Sequence, residues 1–299
     1  MIFGGLPDGR LEAWLGLVGD NLSMTPSGDR ALVLGSGGAT GIAWQAGVLA
    51  GLADSGVELT PATVIGTSAG ALVAARLTTG WTPERLFAVA SAESLAPGRV
   101  GLGAVLALGA AQVYPSRRHA LAWLGRRAER AWSADAETRW VARLVPDLAG
   151  AEWPDGLVIV ATDAASGRPA FFSHSQPADL ARAVAASCAI PGVFPAVRID
   201  GRLHLDGGLR SPANLDVVAS ATSVIALAPL GGSVRAYRRP AMQAKALGRR
   251  AAVALLRPDE RSRKAMGSDL LASHRNSAAA AAGREQGRRE GERLGGWPA

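Results

Sequence analysis

Ser68 stands in Gly66-Thr67-Ser68-Ala69-Gly70, a Gly-x-Ser-x-Gly pattern between the apolar run Thr63-Val64-Ile65 and a helix-like stretch through Ala75. A serine hydroxyl becomes a useful nucleophile only when it is held clear of the chain and beside a base. Here Gly66 and Gly70 permit a sharp strand-to-helix turn that lifts the hydroxyl out, with the N-terminus of the next helix behind it. The free N–H groups and positive end of that helix stabilise negative charge developing nearby. The bland alternative is a glycine turn that serves packing alone.

A nucleophilic serine needs a base, and the chain has four histidines. His274 lies in a basic tail, outside any strand-end loop. His119 falls in an Arg-rich helical stretch and reads as a surface residue, and His174 follows Phe171-Phe172-Ser173 as a loop histidine. His204 is the serious competitor, because in a strand it shares a face with Asp206. Asp206 precedes Gly207-Gly208, where a tight turn exposes a carboxylate; an Asp serves directly as base if it meets the hydroxyl in a partly desolvated pocket. An ordinary Asp-Gly turn is the alternative for that dipeptide.

A second glycine-rich turn, Gly35-Ser36-Gly37-Gly38-Ala39-Thr40-Gly41, follows Ala31-Leu32-Val33-Leu34. A dinucleotide fingerprint starting at Gly35 puts Thr40 where the last glycine belongs, and no acidic residue ends the next strand for a ribose. No Gly-Lys-Ser/Thr is present, which excludes a phosphate loop. The N–H groups of Gly37 and Gly38 can instead cradle an oxyanion, where missing side chains let a substrate approach.

The elements that must position these residues are short apolar strands, each followed by a tight turn and a helix, which indicates a parallel α/β sheet. Strands are expected at 31–34, 63–65 and 157–161, as a pair within 196–205 turning at Asp200-Gly201, and last at 223–228. Helices are expected over 42–52, from Gly70 onward, across much of 82–150, over 178–187, over 242–256 and from Asp269 on. Residues 1–28 read as an N-terminal extension, since Met24 lies just before the first strand. Residues 29–232 read as a catalytic domain, with 82–150 as a helical lid or acyl-chain groove, and 233–299 as a basic, Ala- and Arg-rich helical segment.

Composition sets the outer bounds. The 299 residues are 48% apolar and 19% charged, enough to bury a core without disulfides or metal and too hydrophobic for a disordered chain. A single cysteine, Cys188, excludes an internal disulfide and points to a reducing compartment; it reads as a small buried residue. No basic stretch followed by an apolar run opens the chain, so a cytoplasmic location is expected. The uncharged, apolar-rich stretch Val100–Val113 is too short to span a bilayer. The net charge of +7 sits in the tail: from Arg235 onward it is +9 and before that −2. Such a segment allows peripheral contact with an anionic membrane surface, although interspersed Glu285, Glu290 and Glu292 equally suit a solvated helical face. No nucleic-acid partner is expected, and nothing speaks to oligomeric state.

Four segments, in order, resemble the patatin-like phospholipase family. Ser36-Gly37-Gly38-Ala39-Thr40-Gly41 is similar to its Gly-Gly-Gly-x-Arg-Gly oxyanion loop, and the turn around Ser68 to its nucleophile turn. Ala186-Ser187-Cys188-Ala189-Ile190-Pro191-Gly192-Val193-Phe194-Pro195 closely resembles its Ala-Ser-x-Ala-x-Pro-x-x-Phe-Pro segment, and Asp206-Gly207-Gly208 its Asp-Gly-Gly/Ala. The resemblance implies a three-layer α/β fold with a central, mostly parallel sheet, helices on both faces and a Ser–Asp dyad at strand ends. It implies a lipid acyl hydrolase of phospholipase A or esterase type acting through an acyl-serine. Ser68 would be nucleophile and Asp206 general base, with an oxyanion hole from Gly37, Gly38 and Ala69 N–H. Gly35, Gly41, Gly66, Gly70, Gly207 and Gly208 would shape the turns, and no metal or cofactor is implied. Ser36 in place of the first glycine and Thr40 in place of Arg depart from the family pattern, and the second bears on charge stabilisation and substrate class. A soluble esterase or thioesterase, and a non-catalytic lipid- or partner-binding member, are the alternatives. For His204 the two readings are a role in orienting Asp206 and an ordinary core histidine; core is the expectation.

Overall fold

The computed structural model describes residues 30–92, 117–176, 178–218, 220–233 and 235–295. The proposed N-terminal extension and the stretch 100–113 lie outside these. Eight strands form one sheet: β1 (Arg30–Leu34), β2 (Thr63–Thr67), β3 (Leu157–Asp163), β4 (Pro169–Ser173), β5 (Val197–Ile199), β6 (Arg202–Asp206), β7 (Ser223–Leu227) and β8 (Ala252–Leu256). Their order is β5-β6-β3-β2-β1-β7-β8, with β4 pairing antiparallel to β3. From β3 across to β8 every neighbouring pair is parallel.

The parallel strands read as unbroken apolar runs because both of their faces are covered. In β1 the alternation sends Leu32 and Leu34 into one core and Ala31 and Val33 into the other. The first core lies beneath α1 (Gly38–Asp54), α2 (Ala69–Thr78) and α6 (Leu180–Ser187); the second lies beneath residues 213–218, Ala221 and α7 (Pro240–Leu247). Helices α3 (Pro83–Ala92), α4 (Arg117–Ala131) and α5 (Ala134–Leu144) come from the region expected to be helical. Buried faces of α4 meet Ala196, Leu205 and Leu209 in a small third cluster. No helix among the described residues is long and apolar enough to cross a membrane.

The structure departs from the sequence reading in three elements. β8 lies beyond the strand expected to be last and occupies part of the expected 242–256 helix: α7 stops at Leu247 and Ala252–Leu256 pairs with Ser223–Leu227. Ala and Leu favour helix, but the free edge of β7 supplies a parallel ladder along all five residues and buries Leu256, and this overrides propensity. β4, unanticipated, pairs with β3 just before the His174 turn. The tail, read as a solvated face, instead ends in α9 (Asn276–Leu294), docked on α1 after the short α8 (Glu260–Met266).

The α1–α9 contact is made backbone to backbone. A methyl at Gly47 would come 2.1 Å from the Ala280 carbonyl, and one at Gly51 2.1 Å from that of Arg284. From the other side, a Cβ on Gly283 or Gly287 would lie 2.4 or 2.3 Å from the carbonyl oxygens of Trp44 and Val48 respectively. Two glycines four residues apart on each helix therefore share one contact face. The buried Trp44 indole donates to Gln286 Oε1 at 3.1 Å.

Candidate active site

The pairing register brings Ser68 and Asp206 together. β2 ends at Thr67, opposite Val160 of β3, whereas β6 runs the other way and ends at Asp206, opposite Ala161. Two strands thus arrive head-on at consecutive residues of β3, and the residue leaving one meets the last residue of the other. Gly207 lets the chain turn there, since a Cβ would stand 2.0 Å from the Val160 carbonyl oxygen.

Ser68 has φ 54° and ψ −121°, a left-handed backbone that a non-glycine residue adopts at a cost of order 1–3 kcal/mol. The surrounding bonds hold it there. Its N–H donates to Ser187 Oγ at 2.8 Å, and Ser187 in turn donates to the Val160 carbonyl at 2.6 Å. Gly70 N–H donates to the Gly35 carbonyl at 3.1 Å, and a Cβ on Gly70 would lie 2.0 Å from the Leu34 oxygen, so helix α2 starts hard against β1. The strained turn aims Ser68 Oγ at Asp206 Oδ2, to which it donates at 2.7 Å.

The other carboxylate oxygen, Oδ1, accepts Gly208 N–H at 2.6 Å. Asp206 is 5% exposed, and burial pushes its carboxyl up to about 6 against the lowering effect of the Ser68 and Gly208 hydrogen bonds. A carboxylate raised towards neutrality is a better proton acceptor and is still mostly ionised at pH 7.

Two helix N-termini face this pair. Among the described residues, the N–H groups of Gly37, Gly38 and Ala39 at the start of α1, and of Ala69 at the start of α2, have no hydrogen-bond acceptor. Gly38 has φ +63°, and a Cβ there would strike the Leu270 carbonyl at 2.6 Å. That carbonyl accepts Thr40 N–H at 3.1 Å, and the Thr40 side chain is wholly buried. Gly35 and Gly66 sit against neighbouring backbone, where a Cβ would come within 3.0 and 2.7 Å, whereas a Cβ on Gly41 would meet only Pro229 and Ala69 side-chain atoms at ordinary contact distance.

His204 is not hydrogen-bonded to Asp206. It is buried edge-on to Phe172 with ring centroids 5.2 Å apart, and burial lowers its basicity. His174 is exposed near Asp155, and His119 lies exposed on α4. Burial, then the Asp206 charge, holds the Cys188 thiol well above its ordinary value, so it stays protonated. Two supporting residues carried no assigned role in the sequence reading. Ser187 ties the nucleophile turn to β3, and Asn214, at φ 52°, donates to Thr67 Oγ1 at 3.1 Å. Ser187 lies within a family-like segment, which was its one signal; Asn214 had none, because its contact spans 147 positions. No group of three or more His, Cys, Asp or Glu side chains gathers as a metal site among the described residues.

The family model described as patatin-like phospholipase matches residues 32–219. Among solved structures the chain is similar to VipD from Legionella pneumophila, at 15% identity and a TM-score of 0.44, over 89% of this chain and 67% of that one. It is also similar to the type III effector protein ExoU, at 15% identity and a TM-score of 0.36, over 88% of this chain and 54% of that one. The chain therefore spans about two thirds of one and about half of the other. No curated protein matches it in sequence.

Proposed function

Starting from a chain that belongs to the patatin-like phospholipase family, we propose that it is a lipid acyl hydrolase of phospholipase A or esterase type with Ser68 as nucleophile and Asp206 as general base. The observation that carries this reading is the 2.7 Å hydrogen bond from Ser68 Oγ to a buried carboxylate whose basicity is raised. Asp206 takes the Ser68 proton as Oγ attacks an ester carbonyl carbon. The oxyanion that forms is bound by the N–H groups of Gly37, Gly38 and Ala69, preorganised donors of a kind worth about 10²–10³ in rate each. The proton passes from Asp206 to the departing alcohol, leaving an acyl-serine. Water then gives a proton to Asp206 and attacks the acyl carbon; the bond to Ser68 Oγ breaks as Oγ takes that proton back, and the carboxylic acid leaves.

Access to lipid is ascribed to α4. Its outward face carries Trp123, 44% exposed, beneath Arg127 at 5.2 Å, with Arg126 and Arg130 beside it and Trp132, 40% exposed, just past its end. Its inward face packs on Leu205 and Leu209, which flank Asp206. Aromatic rings with arginines suit the headgroup level of an anionic bilayer.

The test is hydrolysis of a p-nitrophenyl ester and a fluorogenic phospholipid, with fluorophosphonate labelling of Ser68. Wild-type turnover should vanish in Ser68→Ala and Asp206→Asn and persist in His204→Gln. Turnover that survives Asp206→Asn and is lost in His204→Gln would transfer the base role to the histidine.

A further inference from the structure

The residue that replaces the family's first glycine has an unused hydroxyl beside the general base. Ser36 is 6% exposed, and its Oγ has no hydrogen-bond partner among the described residues. Its main chain is fixed, because Ser36 N–H donates to the Pro212 carbonyl at 2.7 Å and so cannot serve the oxyanion. The side chain points at Gly208: the position a Gly208 Cβ would occupy is 2.4 Å from Ser36 Oγ and 2.9 Å from Asp206 Oδ1. A glycine at 208 is what leaves space for that hydroxyl, which lies with Asp206 Oδ1 against the Gly208 backbone. The large majority of buried hydroxyls are satisfied, by protein, ordered water or ligand.

We propose that Ser36 is a positioning residue for the second half of the reaction, holding the hydrolytic water against Asp206; this rests on the Ser68–Asp206 reading above. In the acyl-enzyme the Ser68 proton has left with the alcohol, so Asp206 Oδ2 no longer accepts from Ser68. The water gives one O–H to the Asp206 carboxylate and the other to Ser36 Oγ, which turns a lone pair towards the acyl carbon. The water oxygen bonds to that carbon as its proton passes to Asp206. Collapse of the tetrahedral species breaks the bond to Ser68 Oγ, which recovers the proton from Asp206. Gly37, Gly38 and Ala69 act in both halves, whereas Ser36 acts in the second alone.

The experiment compares wild type, Ser36→Ala and Ser36→Gly by stopped-flow p-nitrophenyl ester hydrolysis, intact-mass detection of acylated protein and fluorophosphonate labelling. Two variants guard against a folding defect peculiar to either. Loss of the water site should lower kcat roughly tenfold or more and reveal a burst with accumulated acyl-enzyme. Labelling, which needs only attack by Ser68, should stay within a factor of about 3 of wild type. Hydroxylamine, a strong nucleophile that needs no held water, should restore breakdown of the acyl-enzyme. Unchanged kcat, or equal losses in labelling and turnover with no acyl-enzyme, would overturn the assignment. Failure of the parent reading is visible separately, in wild type alone, as absent labelling of Ser68.

Discussion

Asp206 is asked to be buried, charged and hydrogen-bonded to a neutral hydroxyl, and this has a cost that can be measured. Its carboxyl titrates near 6 in the folded chain against 3.8 as a free side chain. Ester turnover should therefore rise as pH increases through about 6 and level off above it, and a pH–rate profile of kcat/KM checks this. Stability runs the other way. A folded-state value above the unfolded one means the folded chain holds its proton more tightly, so stability falls as pH rises from about 4 to 6. The full penalty, at most about 3 kcal/mol, is present at pH 7. Asp206→Asn should thus melt higher than wild type at pH 7.5 while losing turnover, with the gain fading below pH 4. A lower melting point at pH 7.5 would show that the carboxylate stabilises the fold. Residues such as Ser68 and Asp206 were legible because local spacing, Gly-x-Ser-x-Gly and Asp-Gly-Gly, encodes the turn each needs. Ser187 as a brace and Ser36 facing Gly208 were not, because those contacts exist only once separate segments meet.

At the level of elements, glycine spacing carries a message that hydrophobic patterning hides. Helix α9 is rich in Ala, Gly, Arg and Glu, and by periodicity alone it looks like a surface helix. Its glycines mark the line where it lies against α1. A methyl at Gly51 or Gly283 would meet a backbone carbonyl, and the helices would have to part. Gly51→Ala and Gly283→Ala should each cost about 1–3 kcal/mol or more, by analogy with overpacked cores. Gly201→Ala is the control: φ there is +75° and nothing lies within 4 Å, so only backbone strain of about 1 kcal/mol is paid. Urea midpoints of the three variants decide it, and equal shifts would remove the close-contact argument. The same blindness explains β8: whether Val253-Ala254-Leu255-Leu256 becomes strand or helix is settled by the waiting edge of β7, 29 residues earlier at each register position. The strand-turn-helix units around Gly35 and Ser68 were readable because sequence neighbours there are also spatial neighbours.

Across the whole molecule, charge is distributed differently from its sequence profile. Arg284 pairs with Asp54 at 2.7 Å and Glu84 at 2.9 Å, Arg288 with Asp54 at 2.8 Å, and Arg289 with Asp259 at 2.6 Å. Hydrogen bonds from Arg284 and Arg288 hold the Asp54 carboxyl at about 2. Part of the basic tail's charge is thus paired with acidic side chains at the surface, and the aromatic, arginine-bearing face of α4 is the candidate to test for lipid. Co-sedimentation with anionic vesicles at low salt should fall severalfold for the Trp123→Ala, Arg127→Gln double variant and little for Arg293→Gln, with binding weakened by added salt. The reverse ranking would return the role to the tail. One further consequence follows from the α1–α9 pair. Helix α1 carries the unpaired N–H groups at its start, yet its partner lies 242 positions away at the Trp44–Gln286 bond. Ser68 and Asp206 are synthesised well before residues 276–294. A nascent chain therefore holds both side chains before α1 has the helix it packs against, and the glycine turn at the start of α1 gains that support only once α9 has been made.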